Sequence, residues 1–508
     1  MLDVAFATDN PMLVTISESS KSAPLEATLN QALIPVFLLA VLLGSSVYLF
    51  GADSSTGPNQ IALILCTAVA IVIGIRNGHK WKDLEVGISR GISVSMGAIL
   101  ILLVVGSVIG AWMLAGVVPT MIYYGLSLIS PSVFYPASCV ICAVAALAIG
   151  SSWTTAGTIG VALIGIATVQ DLNLGLAAGA VVSGSYFGDK MSPLSDTTNL
   201  APAAAGTDLF AHIRHMLWTT VPSFLIALIL FTIVGFFEPS PKGTDELGVV
   251  QSVLLNHFSI GPHLLVPMLL VFVLVIFRMP AFPALLIGAL AGGVFAVIFQ
   301  QDVVLRYVGA TDLPKSVALI KGVWQVLYAG YRFDSGNIPI DELLSRGGMA
   351  SMLMTVWLIL TAMMFGAVME VAGMLQVIAK HILRTVSGTG SLIAATLATS
   401  FGMNVIASDQ YIAIVLPGRM FRSEYERRGL ALKNLSRTLE DSGTLTSVLI
   451  PWNTCGAYMA TTLGVQTLTY APFAFFNLLS PLVAGLYGFA NIKVASQQQL
   501  PEERTTAE

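Results

Sequence analysis

The chain has 508 residues, 55% of them hydrophobic and 10% charged, whereas soluble domains run at about 45–50% apolar and about 25% charged. Apolar runs long enough to span a bilayer recur along its whole length, which excludes a sizeable soluble domain. The formal net charge of −4 says nothing useful about nucleic acid, and no basic cluster with interleaved aromatics points to such a partner.

The N-terminal residues 1–30 are polar and lack a basic region leading into a short apolar one, so no signal peptide is expected. A spanning helix needs about 20 largely apolar residues. By that measure spans are expected near 32–50, 60–76, 92–115, 174–207, 216–237, 263–278, 283–300, 349–373, 434–465 and 472–492. Two of these, 174–207 and 434–465, are too long and are interrupted by polar residues, with Pro193 and Pro451 inside the interruptions. They read as broken helices. Cys66, Cys139, Cys142 and Cys455 all lie in apolar segments. Cys139 and Cys142 form C-x-x-C without a second pair or nearby histidines, so they read as small buried hydrophobes.

Segments 135–167 and 389–418 are apolar at both ends with polar or glycine-rich middles, IGSSWTTAGTIG and SFGMNVIASDQ. They read as re-entrant hairpins. Charge asymmetry supports this, because cytoplasmic loops carry excess Lys and Arg. Loop 76–90 holds Arg76, Lys80, Lys82 and Arg90. Segment 419–433 holds Arg419, Arg422, Arg427, Arg428 and Lys433. Ten spans and two hairpins put both segments and both termini inside. Reading both hairpins as full spans is the alternative layout.

The expected architecture is an all-α polytopic membrane protein. It has about ten transmembrane helices plus two re-entrant hairpins in two inverted repeats, with two broken helices at the midplane. The first repeat would cover 31–240, and 241–262 would be an external linker. The second would cover 263–493 with an external loop at 301–346, and 494–508 a cytoplasmic tail. Four short matches suggest the repeat. Ser89-Arg90-Gly91 recurs as Ser345-Arg346-Gly347, Ala115-Gly116 as Ala372-Gly373, Gly150 as Gly402, and Asp189 as Asp441. An odd number of spans per unit inverts the second copy, and secondary transporters place their site where broken helices meet at such a repeat interface.

Four polar segments therefore converge. The candidate ion-binding carboxylates are Asp189, Asp196, Asp409 and Asp441. Supporting oxygens are expected from Thr154 and Thr155 in the first hairpin, and from Ser192, Thr197, Thr198 and Asn199 in the first break. The second hairpin adds Asn404, and the second break adds Thr444, Ser447, Asn453 and Thr454. Lys190 is the expected charge partner. Lipid exposure of these five charges would cost on the order of 10 kcal/mol, so they face a cavity, pair, or bind a cation. An oxygen-only donor set suits a small hard cation. A carboxylate that holds either Na+ or H+, but not both well, is sufficient for exchange if it faces each side in turn. No nucleophile–base pair or H-E-x-x-H motif points to an intramembrane enzyme, and no cofactor is expected.

Structural readings stand beside these. Asp189 or Lys190 could belong to a structural ion pair. Asp196, Asp409 and Asp441 could be helix caps. Glu440 reads as facing the cytoplasmic entrance, and Glu370 as either a relay or an interfacial charge. His212 and His215 read as surface histidines of a cytoplasmic turn, and Trp153 and Trp452 as packing residues.

Three strings resemble the NhaC-type sodium/proton antiporters of the ion-transporter superfamily: GSYFGDKMSPLSDTTNLAPAAAGTDLFAHIRHM (184–216), ASDQYIAIVLPGRMF (407–421) and KNLSRTLEDSGTLTSVLIPWNTCGAYM (433–459). The resemblance implies a multi-pass protein of the cell inner membrane that exports Na+ in exchange for H+ and serves pH homeostasis. The family also includes exchangers of malate with protons against lactate with sodium, which is the alternative function. Lys190 and the hydroxyl-rich hairpin tips are the groups that would receive a dicarboxylate. The sequence fixes no oligomeric state, and a homo-oligomer is compatible with it.

Overall fold

A computed structural model describes residues 24–238, 244–309, 312–334, 341 and 344–497. Most of the 1–30 segment, much of the 494–508 tail, and parts of the 241–262 linker and the 301–346 loop lie outside those residues. Among the described residues the secondary structure is helical, apart from one antiparallel bridge between Leu430 and Ser496. The first half contains α1 (Leu29–Phe50), α2 (Pro58–Arg76), α3 (Trp81–Leu114), α4 (Val117–Leu128), α5 (Phe134–Ile149), α6 (Ser152–Val169), α7 (Leu174–Met191), α8 (Asp196–Ala205) and α9 (Leu209–Phe237). The connecting region holds α10 (Thr244–His257). The second half contains α11 (Val266–Ile276), α12 (Ala281–Phe299), α13 (Gln301–Val308), α14 (Lys315–Ala329), α15 (Leu353–Val371), α16 (Met374–Arg384), α17 (Thr389–Ile406) and α18 (Gln410–Arg427). It ends with α19 (Leu432–Leu439, continued by a π-turn over Glu440–Thr444), α20 (Thr454–Leu463) and α21 (Phe475–Phe489). Nine helices of the described residues are long and apolar enough to cross a membrane, or eleven if two bent pairs each count as a span. The stretches expected as a linker and a loop thus carry helices α10, α13 and α14.

Both hairpins are present. α5 and α7 run parallel, with Gly184 against the Cys139 carbonyl and Gly188 against that of Ala143. The Asn173 amide meets the Tyr135 hydroxyl at 3.1 Å, so α6 must carry the chain back from the turn at Gly150 to the level where α5 began. In the second hairpin, Arg428 donates to the Val386 carbonyl at 3.3 Å and Thr396 lies 3.3 Å from the Tyr425 hydroxyl, which sets α17 beside α18. Each tip has one residue in the left-handed region, Gly150 (φ 74) and Ser408 (φ 59). Each then starts a helix with a side-chain N-cap, Ser151 and Asp409. An N-cap oxygen satisfies an amide that the first turn leaves without a partner.

The repeat is inverted. α3 and α15 are its equivalent helices, and they cross antiparallel: Gly87 lies against Val371, Gly91 against Ala367, and Gly106 against Gly348 and Met352. The outer helices are exchanged between units, since α2 packs on α15 whereas α12 packs on α3. Equivalent helix boundaries keep the same spacing to within one residue. Gly373 follows Gly116 by 257 positions, and both are left-handed residues between two helices. Asp409 follows Ser151, Asn453 follows Ser195, and Gln466 follows Asp208, each by 258 as N-caps.

Three of the pairings expected from sequence fall away. Gly402 lies inside α17 with open space around it, and the tip is Ser408. Ser345-Arg346-Gly347 is non-helical whereas Ser89-Arg90-Gly91 is inside α3. At the structural spacing Asp189 answers to Ser447 and Asp441 to Ser183, so the two aspartates are not counterparts. Chance identities at spacings of 252 and 256 had replaced the true register of caps and turns.

Candidate ion-binding site

α7 stops where Ser192 turns extended (ψ 128), and α8 restarts under the Ser195 cap. A break inside a bilayer frees carbonyls that lipid cannot satisfy. The Thr198 hydroxyl donates to the carbonyls of Asp189 (3.3 Å) and Lys190 (3.0 Å), and Asn199 donates to those of Pro193 (2.9 Å) and Ser195 (2.6 Å). Ser192 Oγ accepts from the Leu194 amide, and Thr197 Oγ1 lies 3.1 Å from Ser195 Oγ. Thr154 and Thr155 likewise serve the first hairpin tip, bonding Ser151 Oγ and the Ser151 carbonyl. These residues, expected as ion ligands, hold the break and the tip in shape.

The second break is held from the opposite hairpin. Asn404 on α17 donates to the Gly443 carbonyl (2.7 Å) and Thr446 Oγ1 (3.0 Å), while Asn453 donates to Asn404 Oδ1 (3.2 Å) and caps α20 through the Cys455 amide. Thr454 gives its amide to the Ser408 carbonyl at 3.0 Å, and Ser447 its hydroxyl to the Thr444 carbonyl at 2.6 Å. The Thr444 hydroxyl itself is buried without a partner.

The four aspartates do not share one point. Among the described residues no three His, Cys, Asp or Glu side chains converge as a metal site. Asp189 is buried beneath the first tip. Its Oδ2 accepts from the Ser152 hydroxyl (2.6 Å) and amide (3.2 Å) at the start of α6, where the helix dipole favours negative charge. Its Oδ1 is buried and has no partner. Asp441 is fully buried and ion-paired with the fully buried Lys190; its Oδ1 also accepts from Thr219 (3.1 Å) and Ser480 (2.8 Å). Asp196 is exposed at the first position of α8, with Oδ1 on the Thr197 amide and Oδ2 accepting from the Tyr411 hydroxyl. Asp409 caps α18, its Oδ1 accepting from the amides of Tyr411 (2.9 Å) and Ile412 (3.2 Å).

The tips carry a matched pair of aromatics. Trp153, two positions after its cap, stacks on Tyr458 of α20 at 4.0 Å, and the Tyr458 hydroxyl donates to the Trp153 carbonyl. Tyr411, two positions after its own cap, reaches Asp196 of α8. Each hairpin thus closes on the other repeat's broken helix. Trp452 donates to the Val405 carbonyl at 2.8 Å.

Several residues of the site escaped the sequence reading. Thr219 and Ser480 sit among a few scattered hydroxyl and amide residues of mostly apolar helices, and nothing in the sequence singles them out from Thr220, Ser223 or Asn477. Glu440, expected at the entrance, is fully buried with neither carboxylate oxygen bonded. His212 and His215, expected on the surface, are buried inside α9, facing Ser436 Oγ (2.8 Å) and Asn434 Oδ1 (3.0 Å) of α19. The H-x-x-H spacing puts both on one helix face, and that face meets another helix instead of water.

Residues 184–492, which carry both broken helices and the second hairpin, match the model of the Na+/H+ antiporter family. The chain belongs to that family. It is 40% identical to the Na(+)/H(+) antiporter NhaC of Alkalihalophilus pseudofirmus over 94% of this chain and 99% of that protein. It is 38% identical to the Malate-2H(+)/Na(+)-lactate antiporter of Bacillus subtilis over 85% and 89%. It is 36% identical to the Na(+)/H(+) antiporter NhaC of Bacillus subtilis over 89% and 96%. Family membership and the apolar helices make it a multi-pass membrane transporter.

Proposed function

We propose that this protein exchanges Na+ for H+ across the cytoplasmic membrane by alternating access, with both termini cytoplasmic. The observation that carries the reading is the state of Asp189. One of its oxygens is held by the hairpin tip, and the other is buried, unpartnered and next in sequence to a buried Lys–Asp pair. A desolvated carboxylate in that state needs a cation, and Na+ and H+ both answer. Asp189 is then the exchanging carboxylate. Lys190 and Asp441 set the local charge, and Asp196 and Asp409 organise the approach beside Tyr411. A cavity of about 570 Å³, lined by Asp83, Arg90, Glu370, Gln376, Tyr411 and Arg419, leads to that approach. In this reading it is the cytoplasmic vestibule, and Trp153 on Tyr458 closes the external side.

Similarity to a malate/lactate exchanger keeps the organic-acid reading testable, yet Lys190, the cation it would require, is already committed to Asp441. In everted vesicles, Na+ is expected to dequench a pH dye with no organic acid present, and Asp189→Asn to abolish the response at every pH. A response that requires malate or lactate would establish the alternative. Wild-type exchange in Asp189→Asn would remove Asp189 from the site.

A further inference from the structure

Two fully buried ionisable side chains flank Asp441 on α19 and lack a partner of opposite charge. Arg437, one helical turn before it, donates from Nη1 to the Lys493 carbonyl (3.0 Å), while its Nε and Nη2 are buried without partners. Glu440, adjacent in sequence, leaves both carboxylate oxygens buried without partners. Asp441 keeps Oδ2 unpartnered as well. Lys190 and Asp441 are the pair that is made.

Such orphans are costly: a buried charge without a counter-charge is tolerated only when something over-determines it. The backbone here is a π-turn spanning Glu440–Thr444, a local widening and underwinding of the helix that is frequent at functional sites. In a regular α-helix, residues 437 and 441 would stand one above the other at the spacing that suits Arg–Asp pairing. Asp441 lies inside the π-turn and is paired with Lys190 instead. Arg437 and Asp441 stand four residues apart on the same element, and Glu440 adjoins the Asp441 that Lys190 holds.

We infer that Arg437 and Glu440 are positioning residues of an ion-pair exchange. In the arrangement seen, Lys190 holds Asp441. In the alternative, Arg437 holds Asp441 and Lys190 passes to Glu440. The alternative pairs all four groups and gives up the Lys190–Asp441 contact and the longer Lys190 bond to Ser480 (3.4 Å). Relaxation of the π-turn toward α-helical register supplies the rotation. Because α19 leads into the second break and Lys190 ends α7 at the first, the exchange couples both broken helices. That is the bistable element alternating access requires. This inference rests on the antiporter reading.

The test is Na+/H+ exchange by purified protein in proteoliposomes, with the Na+ dependence measured for Arg437→Gln, Glu440→Gln and the double variant. Each single variant is expected to lower maximal turnover by about 10-fold or more while KM for Na+ stays within about 3-fold, since Asp189 is untouched. The double variant is expected to match the singles, because all three remove the same alternative state. Arg437→Lys, which keeps the charge, is expected to recover turnover in part. Monodispersity and the thermal midpoint in detergent identify any variant that misfolds. For folded variants, turnover within about 2-fold of wild type, or fully additive losses in the double, would overturn the exchange. Absence of exchange in the wild type would instead sink the antiporter reading itself.

Discussion

Lys190 and Asp441 show what a buried ion pair demands at the scale of single residues. Removing one partner strands the other charge and costs about 3–5 kcal/mol, while replacing both with apolar groups is often neutral. Lys190→Met is therefore expected to lower the thermal midpoint in detergent strongly, and Lys190→Met/Asp441→Leu to recover most of the loss. Equal midpoints for the two would contradict the pair's assignment. Asp409 makes the opposite case, a carboxylate that serves as a cap. Asn caps about as well as Asp, and Ala costs about 0.5–2 kcal/mol. Asp409→Asn is expected to exchange normally and melt like the wild type, while Asp409→Ala melts lower; loss of exchange in the Asn variant would return Asp409 to the ion site. The sequence already shows that Thr198, Asn199 and Asn404 are polar in an apolar setting. It does not show whether their oxygens serve an ion or the carbonyls freed by a break, because that depends on where each helix stops. Glu440 and Arg437 were illegible for a related reason. A π-turn has no sequence signature, and it decides which face of α19 each charge occupies.

Elements were more legible than residue roles. Apolar length and Pro193 and Pro451 located both breaks and most span ends, although α3 starts at Trp81 and α9 at Leu209, well before the expected 92 and 216. The second tip was displaced, because glycine suggested 402 whereas Ser408 takes the left-handed turn and Asp409 caps the helix after it. Packing between elements rests on small residues, as expected where lipid offers no hydrophobic drive. A β-carbon on Gly188 would sit 2.3 Å from the Ala143 carbonyl oxygen, whereas one on Gly402 meets nothing. Gly188→Ala is expected to pry α7 from α5 at a cost of about 1–3 kcal/mol, seen as a lower thermal midpoint and weaker exchange. Gly402→Ala is expected to melt at or above the wild-type midpoint, since Ala suits a helix interior better than Gly by about 1 kcal/mol. The reverse order would contradict the packing.

At the scale of the molecule, inversion was readable from charge and span number, but the register of the repeat was not. Short identities taken alone are cheap coincidences, while caps and left-handed turns are physical necessities, and they keep a spacing of 257 or 258 from Gly116 to Gln466. The exchange of outer helices between repeats has no trace in the sequence, because the faces involved are largely apolar and their polar contacts, such as Gln60 on the Met354 carbonyl, engage backbone. The two aromatic closures, Trp153 on Tyr458 and Tyr411 on Asp196, join opposite hairpins to opposite breaks. Alternating access requires the first to open when the site faces outward. Cross-linking Trp153→Cys to Tyr458→Cys with a short bis-thiol reagent is expected to stop exchange that the same variant performs before cross-linking; undiminished exchange would place the external gate elsewhere. The account as a whole rests on Asp189 trading Na+ for H+. Its most direct test is accumulation of radioactive Na+ by proteoliposomes that contain only purified protein, Na+ and an imposed pH gradient. The account predicts gradient-driven accumulation by the wild type and none by Asp189→Asn. It would be contradicted by no accumulation in the wild type, or by equal accumulation in the variant.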